Sequence, residues 1–381
     1  MPRSLIGPDQ AFALWAVLLG LAAFGFWCER YAWGRRYSGV MMLIAAAIVL
    51  SNLRIIPTAS PVYDATWTYL VPIAIPLLLF GADLRRILQE SGPTLMAFVI
   101  GSAAVVAGTL VGTALLSLGP QEPELAGVFS ATYIGGSLNF AAVAEATGFR
   151  NSSLLAASVA ADNVATNLHF LLIIALPGIA WFARSYPTKH MAVAAAEDPA
   201  AGTGVHHIGD LSVAGLLAGL ALAFALAALG HWLAAAVGTP QFAILVITLL
   251  ALLVGTLLPR QVARLSGHAE AGNVLMYMFL ASVGASADVW VLIETAPILF
   301  VFAFIIIAVH LVILFVVGRL LKLDLAELVM ASAVCIGGPS SAAAIASAKG
   351  WRALLIPGVL CGSLGYAIGS FIGVALVEWL R

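Results

Sequence analysis

Two apolar stretches 202 residues apart carry the same interruption, Thr132-Tyr-Ile-Gly-Gly-Ser-Leu-Asn139 and Val334-Cys-Ile-Gly-Gly-Pro-Ser-Ser341. The register holds without a gap through Gly148 and Gly350 and through Arg150 and Arg352. Glycine disfavours a helix interior, so a double glycine repeated once per half marks helices broken at matching places. Broken helices at corresponding positions of two halves are the sequence pointer to a transporter binding site near the membrane midplane.

The membrane setting follows from composition. With 62% hydrophobic and 9% charged residues, too few charges remain to solvate a globular surface. Apolar runs near 11–28, 37–56, 67–82, 94–118, 152–182, 211–237, 242–258, 272–293, 297–318 and 353–380 are mostly long enough to cross a hydrocarbon core of about 30 Å. The first run lacks a small-residue cleavage signal before Glu29 and Arg30 and reads as a retained helix. The chain is expected to be an all-α, multi-pass protein of the cytoplasmic (inner) membrane, in contact with lipid. A formal net charge of −1 leaves no broad basic surface for nucleic acid. Cys28, Cys335 and Cys361 lie in or beside apolar runs and read as small buried hydrophobes.

Lys and Arg gather in cytoplasmic loops. Arg30, Arg35, Arg36, Arg85, Arg86, Arg184, Lys189, Arg260, Arg264, Arg319, Lys322, Lys349 and Arg352 fall in alternate connections, and the loops at 57–66, 119–124, 238–240 and 291–296 contain neither residue. In the first half the basic loops follow the first and third crossings; in the second half they follow the second and fourth. The halves are therefore inverted, and each contributes an odd number of crossings. The simplest arrangement makes each Gly-Gly segment a re-entrant hairpin, since about 11 residues from Leu125 to Gly135 rise about 16 Å, roughly half a bilayer. A spanning broken helix, with the odd crossing absorbed elsewhere, is the alternative. The units are a first inverted repeat of about five transmembrane helices over 1–184, a polar linker over 185–210, and a second repeat over 211–381. His190, His206 and His207 of the linker read as solvated loop residues rather than metal ligands.

The chemistry concentrates in the first Gly-Gly segment and the helix after it. Asp162, Thr166 and His169 stand at i, i+4 and i+7 on one helical face, with Asn163 and Asn167 on the adjoining stripe. An ionisable side chain inside a membrane segment usually faces a bundle interior or an ion path. Asp162, Asn163, Asn139, Thr166 and Glu145 are the candidate cation ligands, an oxygen-rich set suited to sodium, with a proton as the other coupling ion and no transition metal. His169 reads either as a packed histidine or as a proton carrier. Tyr133, Gly135, Gly136, Ser137, Asn139, Asn167, Gly337, Gly338, Ser340 and Ser341 are the candidate solute contacts, because a helix break exposes N–H groups and carbonyls to a cavity. The second half does not copy the cation site: Leu364, Gly365 and Gly369 match Asp162, Asn163 and Asn167.

The paired Ile-Gly-Gly segments, the Ala161-Asp162-Asn163-Val164 helix and the Gly81-Ala-Asp-Leu-Arg-Arg86 element resemble the YjcL-like membrane family, whose function is unknown. That family is similar to the cation/proton antiporter and anion transporter superfamily, which includes sodium/bile-acid, sodium/glutamate and 2-hydroxycarboxylate symporters. The resemblance implies a homodimer-forming scaffold domain and a mobile transport domain with an elevator-type movement. It does not deliver a substrate, because Gly-Gly-Ser and Gly-Gly-Pro depart from the Gly-Gly-x-Gly loops of the hydroxycarboxylate symporters.

The resulting expectation is a cation-coupled secondary transporter of a small polar or anionic organic solute: an amino acid, a small peptide or a carboxylate. A cation/proton antiporter without organic substrate fits the same pattern. An intramembrane enzyme is more distant, since the chain has no His-Glu-x-x-His, Gly-x-Ser-x-Gly or Walker-type sequence. No enzymatic activity and no organic cofactor are expected.

Overall fold

The computed structural model describes residues 4–31, 39–191, 212–287 and 289–381. Most of the predicted linker, including His206 and His207, lies outside them, as do Arg35 and Arg36. The described chain is all-helical. The first half runs through α1 (Ala11–Cys28), α2 (Gly39–Asn52), α3 (Pro61–Ala65), a π turn (Thr66–Leu70), α4 (Val71–Leu79), α5 (Leu84–Glu90), α6 (Gly92–Leu115), α7 (Glu122–Gly135), α8 (Ser137–Thr147), α9 (Ser152–Ala175) and α10 (Ala180–Ser185). The second runs through α11 (Val213–Ala236), α12 (Ala243–Leu257), α13 (Pro259–Val262), α14 (His268–Ala285), α15 (Val289–Leu320), α16 (Leu325–Gly337), α17 (Pro339–Lys349) and α18 (Leu355–Leu380).

Among the described residues, eight helical segments are long and apolar enough to cross a membrane, with α2 a shorter apolar helix. One expected connection is displaced: the break between α14 and α15 falls after Ala285 and before Val289 rather than at 291–296. Residues 291–296 form part of the 32-residue helix α15, which at 1.5 Å per residue is about 48 Å long. Pro297 lies inside that helix, and its lack of an N–H alters the helix locally without ending it.

The glycine pairs end helices for a conformational reason. Gly136 has φ 105° and Gly338 φ 73°, the left-handed half of backbone space that only glycine enters without a Cβ penalty. After each break the chain turns back on itself. Nδ2 of Asn139 donates to the Ala131 carbonyl at 3.3 Å, and Oγ of the matching Ser341 donates to the Ala333 carbonyl at 2.7 Å. Residues eight apart would be about 12 Å apart along a continuous helix, so α7/α8 and α16/α17 are helical hairpins. Their outer ends match as well: Gly148 closes α8 and Gly350 closes α17, both left-handed at φ 69°. Pro339 opens α17 at its first position, where a missing N–H is harmless.

The hairpin tips touch. A Cβ added to Gly338 would lie 2.7 Å from the Gly135 carbonyl oxygen, and one on Gly136 would lie 3.5 Å from Gly338 Cα. Helix α18 runs past both. Gly358 and Gly362 lie against the second hairpin, where a Cβ would come within 2.8 Å of Ala342 Cβ and 2.6 Å of Pro339 Cα. Further along, Gly365 and Gly373 lie against the first hairpin, 2.8 Å from Gly135 Cα and 2.7 Å from the Gly127 carbonyl by the same measure. Small residues allow such backbone approach between membrane helices.

The longer helices sort into two groups by what they pack against. One contains α1, α2, α4, α11, α12 and α14; the other contains α6, both hairpins, α9, α15 and α18. Replacing Gly365 by Ala should lower stability by about 1–3 kcal/mol, the usual effect of overpacking, because backbone bounds the space. Gly20→Ala, where a Cβ meets nothing within 4 Å, should be neutral or slightly stabilising. Thermal unfolding of both variants in one detergent tests the contrast.

Candidate functional site

Helix α9 starts firmly, with the Asn151 side chain accepting from the Leu154 N–H at 3.2 Å. Nearly three turns along it, the polar residues form a linked array. The Thr166 hydroxyl donates to Asp162 Oδ1 at 3.0 Å, while Asn163 and Asn167 each donate an amide N–H to the carbonyl one turn back, at 2.8 Å. These bonds use the Thr166 hydroxyl proton and one of the two N–H groups of each amide. From the neighbouring hairpin, the buried Tyr133 hydroxyl faces Asp162 and Thr166.

The array forms one wall of a cavity of about 580 Å³. Asp162, Asn163, Thr166, Asn167 and Phe170 come from α9. The first hairpin contributes Thr132, Gly136, Ser137 and Phe140, and the second contributes Ile336, Gly337 and Ser340. The other helix group adds Glu29, Val40 and Leu280. No Lys, Arg or His is among the described lining residues.

The cavity wall is polarised. Ser137 and Ser340 lie in the first turns of α8 and α17, where unpaired N–H groups and the helix dipole attract negative charge. Gly337 ends α16, where carbonyls attract cations. The carboxylate, hydroxyl and amide oxygens of α9 are ligands for a hard cation. One cavity thus combines a cation-directed wall with anion-directed helix starts.

Eight of the expected site residues line this space: Asp162, Asn163, Thr166, Asn167, Gly136, Ser137, Gly337 and Ser340. Gly135 and Gly338 are pressed together where the hairpin tips cross. Asn139 is fully buried and binds the hairpin to α18, its amide also donating to the Gly365 carbonyl at 2.9 Å. Ser341 does the matching work in the second hairpin, its hydroxyl 2.6 Å from the Gly338 carbonyl. Neither residue lines the cavity. Glu145 lies at the far end of α8 in an ion pair with Arg150 at 2.6 Å, and the Arg150 guanidinium sits 4.0 Å from the centre of the Trp67 ring.

The other eight lining residues, Val159, Ile336, Val40 and Leu280 among them, were not expected from the sequence. Thr132, Phe140 and Phe170 carry no signal beyond proximity to the recognised motifs. Glu29 is the more consequential omission: it follows the first apolar run and reads as its charged flank. Its Oε1 accepts from the Tyr277 hydroxyl at 2.7 Å and from the Gly39 N–H at 3.1 Å. These long-range contacts leave no local pattern in the sequence.

The fold and cavity define an all-helical, multi-pass integral membrane protein. The chain belongs to the family described as protein of unknown function DUF819, which it matches over residues 16–381. It is 35% identical over 391 residues to the uncharacterized membrane protein YjcL of Bacillus subtilis (strain 168), covering 99% of this chain and 98% of that protein.

Removing the Asn139 amide leaves the Ala131 and Gly365 carbonyls without that partner. Asn139→Ala should therefore cost about 1–3 kcal/mol of stability while the shift of the thermal midpoint on adding sodium stays the same as in wild type. A midpoint unchanged from wild type, together with lost sodium dependence, would instead make Asn139 a ligand.

Proposed function

We propose that this chain is a cation-coupled secondary active transporter of the cytoplasmic membrane, with sodium as the coupling ion and a small polar or anionic organic solute as cargo. The carrying observation is the single cavity walled by both Gly-Gly breaks and by the Asp162 array. Irregular backbone at membrane depth is tolerable where it is buried in protein or lines a cavity, and here it does both.

The duplicated hairpins, with matching torsions and matching left-handed caps, support two inverted repeats over 1–184 and 211–381 joined by the 185–210 segment. The two helix groups support a scaffold and a moving transport unit. On this reading α9, both hairpins and α18 travel together, and the wall containing Glu29, Val40 and Leu280 stays with the scaffold. Asp162 holds the coupling cation with oxygens of Thr166, Asn163 and Asn167. The helix starts at Ser137 and Ser340 receive an anionic group of the solute, such as the carboxylate of an amino acid or small peptide. Coupling follows electrostatically: an uncompensated carboxylate near the bilayer centre costs about 3 kcal/mol or more, so the unit crosses readily only with its cation bound.

In proteoliposomes with an inward sodium gradient, wild-type protein should accumulate a solute drawn from a panel of amino acids, small peptides and carboxylates. Asp162→Asn should abolish that uptake, and equal uptake by the variant would sink the assignment. Sodium at about one hundred times its Kd should add about 2.7 kcal/mol of stability, whereas choline should add none. A pH-dependent cation flux that needs no solute would favour antiport instead.

A further inference from the structure

Among the described residues that line the cavity, only Asp162 and Glu29 carry a formal charge, and both charges are negative. They come from different helix groups, Asp162 from α9 and Glu29 from the end of α1. The coupling cation accounts for Asp162. It does not account for Glu29, whose surroundings are built to hold a carboxylate in one place.

Glu29 is the residue that closes α1. Its Oε1 accepts from the Tyr277 hydroxyl of α14 at 2.7 Å and from the N–H of Gly39, the first residue of α2, at 3.1 Å. Three helices of one group therefore meet at a single oxygen. The Tyr277 ring is itself fixed, stacking on Phe26 of α1 with ring centres 4.3 Å apart and planes 10° apart. Gly39 leaves the room that the carboxylate needs, since a Cβ there would lie 2.6 Å from Glu29 Oε1 and 2.5 Å from the Gly25 carbonyl oxygen. Both donors are neutral, so they orient the carboxylate without cancelling its charge. Capping α2 alone needs no charge, because Ser, Thr or Asn satisfy helix starts as well. A group held in position before its ligand arrives loses less entropy on binding.

The anion-directed part of the cavity belongs to the other helix group. Ser137 and Ser340 stand in the first turns of α8 and α17, and such starts receive a carboxylate. A second carboxylate would meet no Lys, Arg or His among the described lining residues and would share the space with Glu29. Much of the remaining lining is apolar: Phe140, Val159, Phe170 and Ile336 on the hairpin side, and Val40 and Leu280 on the other.

We propose that the solute is a zwitterion with one free ammonium and one free carboxylate group, an amino acid with an apolar side chain or a short apolar peptide, and that Glu29 selects for the ammonium group. This rests on the transporter reading above and narrows its cargo. Glu29 accepts from the ammonium N–H groups, the helix starts at Ser137 and Ser340 receive the carboxylate, and the apolar lining takes the side chain. The charges then close, with Asp162 matched to sodium and Glu29 to the ammonium group. A dicarboxylate sets like charge against Glu29, and a simple carboxylate brings no cation to it. Selection therefore works by repulsion as well as attraction. Because Glu29 stands on one helix group and the two helix starts on the other, a bound zwitterion bridges both.

Binding to the full-length protein in detergent and sodium buffer tests this, read as the dependence of the thermal midpoint on ligand concentration. The probes are the apolar L-amino acids and the dipeptide leucyl-leucine. Each binder is compared with its desamino carboxylate (4-methylpentanoate for leucine, 3-phenylpropionate for phenylalanine) and with its amide, which keeps the ammonium group and lacks the carboxylate. At least one zwitterion should bind, and both of its truncated analogues should bind about tenfold or more weakly, the usual loss with one charge-assisted hydrogen bond. Glu29→Gln keeps an oxygen for the Tyr277 hydroxyl and the Gly39 N–H, so its unliganded midpoint should stay close to wild type. It should weaken the zwitterion about tenfold or more and leave the desamino carboxylate unchanged or tighter. A desamino carboxylate that binds as tightly as its amino acid would overturn the proposal, as would a variant that weakens both ligands equally or neither. A panel in which no zwitterion binds would overturn it too. The wild-type comparison decides without any variant if Glu29→Gln fails to fold. Zwitterion binding selected by Glu29 but without sodium-driven uptake would count against the transporter reading and leave the selection standing, so the two failures are separable.

Discussion

Two polypeptide turns meet backbone to backbone at the centre of this protein, and most of the remaining structure exists to make that crossing tolerable. Each turn interrupts a helix inside an apolar segment and leaves N–H and carbonyl groups without intrahelical partners. Asn139 and Ser341 answer part of that need by bonding carbonyls of their own hairpins. Glycines at the tips answer the steric part, because a side chain at Gly338 would strike the Gly135 carbonyl. The remaining unpaired groups face a cavity, which is where a ligand can use them.

The crossing also explains why two similar halves build one site. Helices α9 and α18 fall at matching positions under the 202-residue offset, yet their packing differs. Along α18, Gly365, Gly369 and Gly373 let the helix close onto the first hairpin. Along α9, the positions matching Gly365 and Gly369 are Asn163 and Asn167, with Asp162 beside them. Polar side chains of that size keep α9 away from the tip of the second hairpin, and the cavity occupies the gap. Phe170 closes its far end by packing onto Gly337. The polar residues that stand where α18 has glycine thus line the space.

The fold was legible in the sequence where its cause is local and repeated. A break duplicated at a fixed offset, basic loops that alternate, and an aspartate with no basic neighbour along its helix are all visible one residue at a time. The membrane setting followed from the apolar composition and the long apolar runs. Partnership across long separations was not legible. Nothing near Glu29 announces Tyr277, 248 residues away, and nothing near Asn139 distinguishes a cavity ligand from a staple whose second partner is Gly365. Glu145 misled for the same reason: its carboxylate answers Arg150, and Arg150 answers Trp67 on the other helix group. Residues 291–296 look like a loop because the basic residues skip them, but they fall within the helix Val289–Leu320.

The cavity wall is divided unequally between the two helix groups, and this division bears on how the protein can move. The polar surface of the cavity belongs almost wholly to the hairpin group, whose members are locked together by backbone contacts too close for any Cβ. Glu29, Val40 and Leu280 come from the other group, whose contacts with the first are less extensive. Between the groups stands the Arg150 guanidinium on the Trp67 ring, a contact worth about 0.5–1 kcal/mol where solvent reaches it; Arg150 is nearly half exposed, at 46%. The two groups also share a buried apolar core, while the hairpin crossing lies within one of them. Among the described residues the hairpin group thus keeps most of the polar cavity lining to itself, and the other group supplies only Glu29, Val40 and Leu280.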